Sequence, residues 1–365
     1  MRAVVFRPVG KFSESSSDFL ESLDAADLSA VEPPGSRPHI DQSMIAGVLC
    51  ETAADERRVA LTPDDVRRLD AVGLPVVVQA GAGGGVGFDD RSYECAGARL
   101  VTDPATVFGL ADLVAWVKPP VYELESMPLR RGQALIGFQD PIARAEEIMR
   151  LRDRGVESVA FEQIPADSGT DADALSAMSR IAGGIAYEEG RGLLAADRQA
   201  RPVRTLVLGC GHAGLAALAA AARHGDEPVA VGHRPEQRDA AVRHGTQRFL
   251  LDPEIPALLA QEPIDLVICA AVRRGLPAPV LLGATELAAL RPGAVVVDLA
   301  GKAGGNCVAT VVHATVALPG GVTVTHRSNY PSRQPIAASH AYSAAVTAML
   351  LSRSQESPVT GDPGK

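Results

Sequence analysis

The feature that most constrains the fold is a glycine-rich turn near the middle of the chain. The β-prone run Thr205–Leu208 leads into Gly209-Cys210-Gly211-His212-Ala213-Gly214, and the alanine-rich stretch Leu215–Arg223 follows. Strand, Gly-x-Gly-x-x-Gly and helix in this order form the complete dinucleotide-binding fingerprint. The first glycine permits a tight turn, the second lets the backbone approach a pyrophosphate, and the third lets the helix pack on the strand. A purely structural turn is the alternative.

In the functional interpretation, the phosphates lie at the N-terminus of the helix. The candidate cofactor-binding residues are then Gly209, Gly211, His212, Ala213 and Gly214. A second glycine run, 81–87, is followed by Phe88-Asp89-Asp90 and by no alanine-rich helix, so we interpret it as a flexible loop at a domain edge.

The type of dinucleotide depends on the end of the next predicted strand, Val229–Val231. A carboxylate there usually holds the ribose 2′-hydroxyl of NAD, whereas basic residues accommodate the 2′-phosphate of NADP. This chain has Gly232-His233-Arg234-Pro235 and no acid before Glu236. Gly232, His233 and Arg234 therefore favour NADP(H), with NAD(H) as the alternative, in which Arg234 only caps the turn and His233 is solvated.

Short apolar runs alternate with helical stretches through most of the chain. The runs we predict as strands are Ile45–Leu49, Pro75–Val78, Leu113–Val117, Thr205–Leu208, Val229–Val231, Leu266–Ala270 and Ala294–Val297. Thr62 and Pro63 predict a helix start, and Ala174–Leu194 is expected to form a long helix. The alternation predicts an α/β fold with parallel sheets, and 365 residues predict two domains.

Composition restricts the partners and the compartment. The 35 basic and 44 acidic side chains give a net charge of −9, which argues against a non-specific nucleic-acid binder. The five cysteines are scattered without a Cys-x-x-Cys pair, so we expect no metal site and reduced thiols. No apolar run is long enough for membrane insertion, and residues 1–10 lack the features of a signal peptide. We therefore expect a cytoplasmic protein.

Several segments resemble alanine dehydrogenase and the soluble α subunit (domain I) of proton-translocating pyridine-nucleotide transhydrogenase. Besides the glycine turn and 81–88, these segments are Arg58-Val59-Ala60-Leu61-Thr62-Pro63, 111–119, Ser176-Ala177-Met178-Ser179-Arg180-Ile181-Ala182-Gly183, Val297-Asp298-Leu299-Ala300, Gly304-Gly305-Asn306-Cys307 and Tyr330-Pro331-Ser332-Arg333-Gln334-Pro335. The resemblance covers about residues 44–352 in order, and the last two segments look more like the transhydrogenase branch.

The resemblance implies two Rossmann-like domains with a cleft between them for the nicotinamide. The first domain is discontinuous, with residues 44–175 and 329–352, and the dinucleotide-binding domain spans 176–328. Residues 1–43 are expected to form an N-terminal extension with one short helix at Asp18–Leu28, and 353–365 a flexible tail. The resemblance also implies a homo-oligomer.

The resemblance assigns residues to roles as well. The arginine of R-V-A-L-T-P and the lysine of V-K-x-P, which match Arg58 and Lys118, hold a substrate carboxylate or carbonyl. The alternative for them is a helix-start arginine and a solvated lysine at a strand end. Asp173 and Ser176 match an Asp-x-x-Ser pair of the transhydrogenase nicotinamide site, but residues 165–170 lack the arginine and glutamine that precede it there.

The sequence departs from the alanine dehydrogenase pattern at two positions where those enzymes carry catalytic residues. Asp140 stands where alanine dehydrogenases carry a catalytic histidine, and Lys302 stands where they carry a catalytic aspartate. Ordinary alanine dehydrogenation is therefore not expected, and Asp140 and Lys302 become the candidate proton carriers. Asp140 suits this role if burial raises its pKa.

Three hypotheses follow. The first is an NAD(P)H-dependent oxidoreductase that acts on a small amino, imino or 2-oxo acid, including reductive formation of a secondary amine. The second is a soluble nucleotide-binding α subunit that passes hydride to a transhydrogenase partner subunit. The family's long mobile loop is shortened around 251–263, which weakens the second hypothesis. The third is a degenerate binding module without catalysis.

Overall fold

The computed structural model describes residues 44–165, 171–273 and 276–355. Their contacts divide them into two compact units. The first unit is formed by 44–174 together with 335–355, and the second by 175–334. The predicted extension 1–43, most of the segment 165–170 and the end of the predicted tail, 356–365, lie outside the described residues.

The first unit contains a six-stranded sheet in the order β3-β2-β1-β4-β5-β6, with every pairing parallel. Its strands are β1 Ala46–Val48, β2 Val76–Gln79, β3 Arg99–Val101, β4 Leu113–Ala115, β5 Ala134–Gly137 and β6 Glu157–Ala160. Its helices are α1 Pro63–Ala71, α2 Asp90–Cys95, α3 Pro104–Leu110 and α4 Ala145–Asp153. The sheet order reverses between β1 and β4, which creates a topological switch point there.

Helix α1 begins as its sequence predicts. The Thr62 hydroxyl accepts a hydrogen bond from the Asp65 N–H, and Pro63 occupies the first helical position, where its missing N–H costs nothing. Val66 and Leu69 then turn inward and are fully buried. The segment before Thr62 contains Arg58, and this helix start places that segment against the core.

The second unit contains a seven-stranded sheet in the order β12-β13-β11-β10-β7-β8-β9. Its strands are β7 Arg204–Leu208, β8 Glu227–Gly232, β9 Arg248–Leu251, β10 Leu266–Cys269, β11 Val295–Asp298, β12 Thr315–Ala317 and β13 Thr323–Thr325. Its helices are α5 Ala174–Gly192, α6 Ala196–Gln199, α7 His212–Arg223, α8 Gln237–Arg243, α9 Ile255–Gln261 and α10 Ala284–Ala289. Only β12 runs antiparallel to its neighbour. The remaining six strands have the doubly wound order 3-2-1-4-5-6, which confirms the predicted Rossmann-like α/β class.

The last helix, α11 (Pro335–Gln355), belongs to the first unit. The Ser339 and Ser343 hydroxyls accept hydrogen bonds from the backbone N–H groups of Val59 and Thr62, and the Tyr342 hydroxyl donates to the carbonyl of Trp116. The helix extends to Gln355, three residues into the segment predicted as a tail.

The glycine run 81–87 is a packed turn rather than the flexible loop predicted. A Cβ at Gly83 would lie 2.5 Å from the carbonyl oxygen of Phe88, and one at Gly85 would lie 2.4 Å from that of Arg57. Gly85 lies within a 3-10 turn, Gly84–Val86, and Gly83 directly precedes that turn. Gly83 and Gly85 therefore serve backbone packing, whereas a Cβ at Gly84 or Gly87 would meet nothing within 4 Å.

Candidate functional site

The predicted dinucleotide turn follows β7 at the switch point of the second sheet, between β7 and β10. Gly209 has a φ of 104°, a conformation that favours glycine. A Cβ at Gly214 would lie 1.8 Å from the carbonyl oxygen of Gly209, so the first turn of α7 packs directly on the loop. Both positions require glycine because of contacts within the chain itself.

Gly211 is different because a Cβ there would meet nothing within 4 Å. Gly211 is the N-cap of α7, and His212 and Ala213 form the start of that helix. The open space therefore lies at the positive end of a twelve-residue helix, where backbone N–H groups favour phosphate. This combination fits a dinucleotide pyrophosphate.

Helix α5 packs against the same turn. A Cβ at Gly183 would lie 1.9 Å from the carbonyl oxygen of Ala213, so only glycine lets the two backbones approach this closely. Of the predicted Asp-x-x-Ser pair, Asp173 immediately precedes α5, and Ser176 is buried in its first turn.

The predicted specificity segment lies at the end of β8. His233 and Arg234 are exposed, and their backbone N–H groups both donate to the side-chain oxygen of Gln237, at 3.1 and 3.2 Å. The carbonyl of Gly232 accepts a hydrogen bond from the N–H of Asp252, the residue that follows β9. Gln237, which sequence analysis did not identify, thus fixes the turn that presents both basic side chains.

The segment after β11 is organised by Asp298, which is fully buried. Its carboxylate accepts hydrogen bonds from the N–H groups of Ala300 and Asn306 and from the hydroxyl of Thr310. Lys302 is exposed on the 3-10 turn Gly301–Ala303 within this segment. The Lys302 ammonium is therefore accessible to solvent. Asp298, in contrast, holds the loop through its hydrogen bonds.

His326 was not identified from the sequence, in which it is an isolated histidine. It is 2% exposed, with Nδ1 2.6 Å from the carbonyl oxygen of Asp298 and Nε2 3.1 Å from the hydroxyl of Ser328. Burial lowers the pKa of this imidazole, although the Asp298 carbonyl and charge oppose that shift. His326 therefore favours the neutral form beside the loop that carries Lys302.

The first unit brings Arg58 and Lys118 together. Arg58 forms two hydrogen bonds with Glu56, from Nε to Oε1 at 2.7 Å and from Nη2 to Oε2 at 2.6 Å. The Lys118 Nζ lies 3.9 Å from the same Oε2. The Glu56 side chain is fully buried, and its pKa is lowered because the bonds and charge of Arg58 outweigh the effect of burial.

These groups lie at the switch point of the first sheet. Arg58 and Glu56 lie in the segment after β1, and Lys118 lies in the segment after β4, the parallel neighbour of β1. Ligands in open α/β sheets bind outside the carboxyl ends of strands at such a point. Two cations that share one buried carboxylate here form a cluster suited to an anionic ligand.

Asp140 follows β5, next to β4 in the sheet. Its φ is 50°, and its N–H donates to the carboxylate of Glu162 at 2.9 Å. The residue is exposed, so the burial on which its proposed role as an acid or base depended is absent. Any proton transfer by Asp140 must therefore use an exposed carboxyl group.

Within the described ranges, no cluster of three or more histidine, cysteine or acidic side chains could hold a metal ion. A separate search of the helices in these ranges finds none that is long and apolar enough to cross a membrane.

Comparison with known proteins identifies relatives over both units. The family described as "Alanine dehydrogenase/PNT" matches with its N-terminal domain at residues 47–182 and with its C-terminal domain at 185–360. The chain is 35% identical over 341 residues to the NAD(P) transhydrogenase subunit alpha of Cereibacter sphaeroides, covering 84% of this chain and 65% of that subunit. It is 32% identical over 286 residues to alanine dehydrogenase of Bacillus subtilis, covering 74% of each chain.

Comparison with solved structures identifies the same kind of relative. The structure of transhydrogenase from Sinorhizobium meliloti superposes with a TM-score of 0.77 at 30% identity, covering 85% of this chain and 94% of the other. Both kinds of relative are oxidoreductases by name. The chain spans less than two thirds of the length of the Cereibacter subunit.

Proposed function

Because the chain belongs to the alanine dehydrogenase/pyridine-nucleotide transhydrogenase family, we propose that it is an NAD(P)-dependent oxidoreductase acting on a small amino, imino or 2-oxo acid. The observation that carries this proposal is the convergence of Arg58 and Lys118 on Glu56 at a sheet switch point. Arginine and lysine together suit the carboxylate and carbonyl of a 2-oxo acid.

The second unit supplies the proposed dinucleotide site. Residues 176–328 serve as the dinucleotide-binding domain, and 44–175 with 329–352 serve as the substrate domain. The open Gly211 position fits a pyrophosphate, and His233 with Arg234 favour the 2′-phosphate of NADP(H). When bound, the nicotinamide ring supplies or accepts the hydride.

Reduction of an imine formed from a 2-oxo acid and an amine consumes one hydride and one proton. Arg58 and Lys118 orient the 2-oxo acid through its carboxylate and carbonyl before the carbonyl condenses with the amine and loses water. Asp140 and Lys302 are the proposed proton carriers, and both are accessible to solvent, which can resupply the proton.

The test is oxidation of NADPH and NADH by the purified protein with a panel of small 2-oxo acids, with and without ammonium or a primary amine. We expect turnover with NADPH that Lys118→Met reduces at least about tenfold. Arg67→Gln is the matched control, because Arg67 is an exposed cation paired with Asp64 on α1. No turnover with any acid and amine would contradict the proposal.

The transhydrogenase comparisons favour one second candidate, a nucleotide-binding α subunit that passes hydride to a partner's nucleotide. This function requires no organic substrate. It is tested by mixing the protein with membranes that contain a cognate partner subunit and following hydride transfer between NAD(H) and NADP(H). Transfer that depends on the partner and is unaffected by Lys118→Met would favour it over the first candidate.

A further inference from the structure

A half-buried acid that the proposed function does not use lies beside Lys118. Glu51 follows β1 by three residues, and its Oε1 accepts the N–H of Val117 at 2.6 Å. Its Oε2 accepts the N–H of Lys118 at 2.9 Å. Since β1 and β4 are paired, Glu51 connects the carboxyl ends of the two strands that form the switch point.

The carboxyl group of Glu51 also affects the charge of the cluster. Arg58 and Lys118 together with Glu56 leave one net positive charge when Glu51 is neutral and none when it is ionised. Burial raises the pKa of Glu51 to about 8, assisted by the charge of Glu56, although the two N–H bonds and Arg58 act in the opposite direction. At neutral pH the cluster therefore retains its positive charge.

Other titratable groups face Glu51 from neighbouring segments. Its charge acts on the thiol of Cys50 and on the hydroxyl groups of Tyr122 and Tyr342. Burial raises the pKa of all three groups, so they stay neutral while Glu51 titrates. Of Glu51 and these three groups, Glu51 is thus the one whose pKa lies near 8.

We propose that Glu51 is a positioning residue for the Arg58–Lys118 site. It fixes the backbone of Lys118, whose ammonium lies beside Glu56, and in its neutral form it leaves the positive charge that binds a substrate carboxylate. This inference rests on the proposed function, in which such a carboxylate binds at Arg58 and Lys118. Ionisation of Glu51 would place a second negative charge beside that ligand and weaken its binding.

The test measures the dissociation constants of pyruvate and glyoxylate, as monoanionic probes, for the protein saturated with NADPH between about pH 6 and about pH 9. For the wild type we expect affinity to fall above pH 8, by up to about tenfold per pH unit. Glu51→Gln cannot ionise and should lose this dependence. It should bind more weakly throughout, because its amide NH2 replaces one of the two oxygens that accept the N–H groups of Val117 and Lys118. Glu51→Asp keeps an ionisable group and should restore a pH dependence.

The matched control is Asp112→Asn. Asp112 accepts the N–H of Ile45 at the opposite end of β1 and β4 and pairs with Arg130, so its loss perturbs the same two strands away from the cluster. It should leave the pH profile of binding unchanged. A Glu51→Gln profile identical to that of the wild type would overturn the inference, whereas absence of binding by the wild type at every pH would contradict the proposed function itself.

Discussion

The guanidinium of Arg58 forms two hydrogen bonds with the carboxylate of Glu56, and both side chains are buried. The Nε side of the guanidinium is thereby occupied within the protein. On the proposed function, a substrate carboxylate therefore approaches the guanidinium from a side other than that of Nε. Glu56 therefore restricts the direction from which a ligand can approach Arg58.

The first prediction concerns Glu56→Gln, which leaves a buried guanidinium without its counter-charge. We expect the free energy of unfolding to fall by about 3 kcal/mol, measured by urea denaturation at neutral pH. The lowered pKa of Glu56 means that its contribution is present above the unfolded-state pKa and is lost as pH falls through the folded-state pKa. The difference between the variant and the wild type should therefore shrink in acid, and a constant difference would contradict this account.

The second prediction concerns Asp265, a fully buried carboxylate that is paired with Arg198, Arg201 and Arg291. Burial acts to raise its pKa, but the Arg201 hydrogen bond and the other partners lower it overall. Asp265→Asn should lower the free energy of unfolding by about 3 kcal/mol at neutral pH, and by less in acid. The control, Glu227→Gln, removes an exposed pair with Arg204 and should change stability by less than about 1 kcal/mol.

The third prediction separates two glycines of the dinucleotide turn. Gly214→Ala places a methyl group against the Gly209 carbonyl and should cost about 3 kcal/mol in denaturation experiments. Gly211→Ala meets open space and should cost less than about 1 kcal/mol, because it changes only the N-cap. Its NADPH dissociation constant should nevertheless rise at least about tenfold, since the methyl group blocks the approach of a phosphate. Unchanged NADPH affinity in Gly211→Ala would remove this position from the cofactor site.

The fourth prediction concerns cofactor choice. Arg234→Gln should raise the dissociation constant of NADPH about tenfold and leave that of NADH unchanged, because only NADPH carries the 2′-phosphate. Titration of both cofactors by fluorescence checks this. Arg243→Gln, at the exposed end of α8, is the matched control. A wild-type preference for NADH would contradict the assignment of NADP(H).

The fifth prediction concerns Asp140→Asn. Asparagine tolerates the positive φ at this position, so the variant isolates the loss of the carboxylate from any change in backbone. We expect kcat to fall about 100-fold with cofactor affinity unchanged. If kcat is unaffected, Asp140 is excluded as a proton carrier, and the same measurement on Lys302→Met tests the remaining candidate.

Much of the fold was predictable because local signals were strong. Thr62 and Pro63 predicted the start of α1, and the strand before Gly209 was placed within one residue. Strands β3, β5, β6, β9, β12 and β13 were not identified, because runs of three or four residues carry little pattern. The packing of the glycine run 81–87 was also missed, since it depends on contacts with Arg57 and Phe88 rather than on its own sequence.

The site was predictable only where a motif existed. Arg58 and Lys118 were found by resemblance, but the hydrogen bond from the Lys118 N–H to Glu51 joins residues 67 positions apart and depends on β1 lying beside β4. Sequence periodicity does not provide that sheet order. Gln237 and His326 act through backbone contacts that leave no local signature.

A crystal structure of the protein with NADPH and a 2-oxo acid tests both proposed binding sites at once. We expect the pyrophosphate at the backbone N–H groups of Gly211–Ala213, the 2′-phosphate beside Arg234, and the acid's carboxylate in contact with Arg58 and Lys118. A dinucleotide bound away from Gly211, or an acid carboxylate that contacts neither Arg58 nor Lys118, would contradict this expectation.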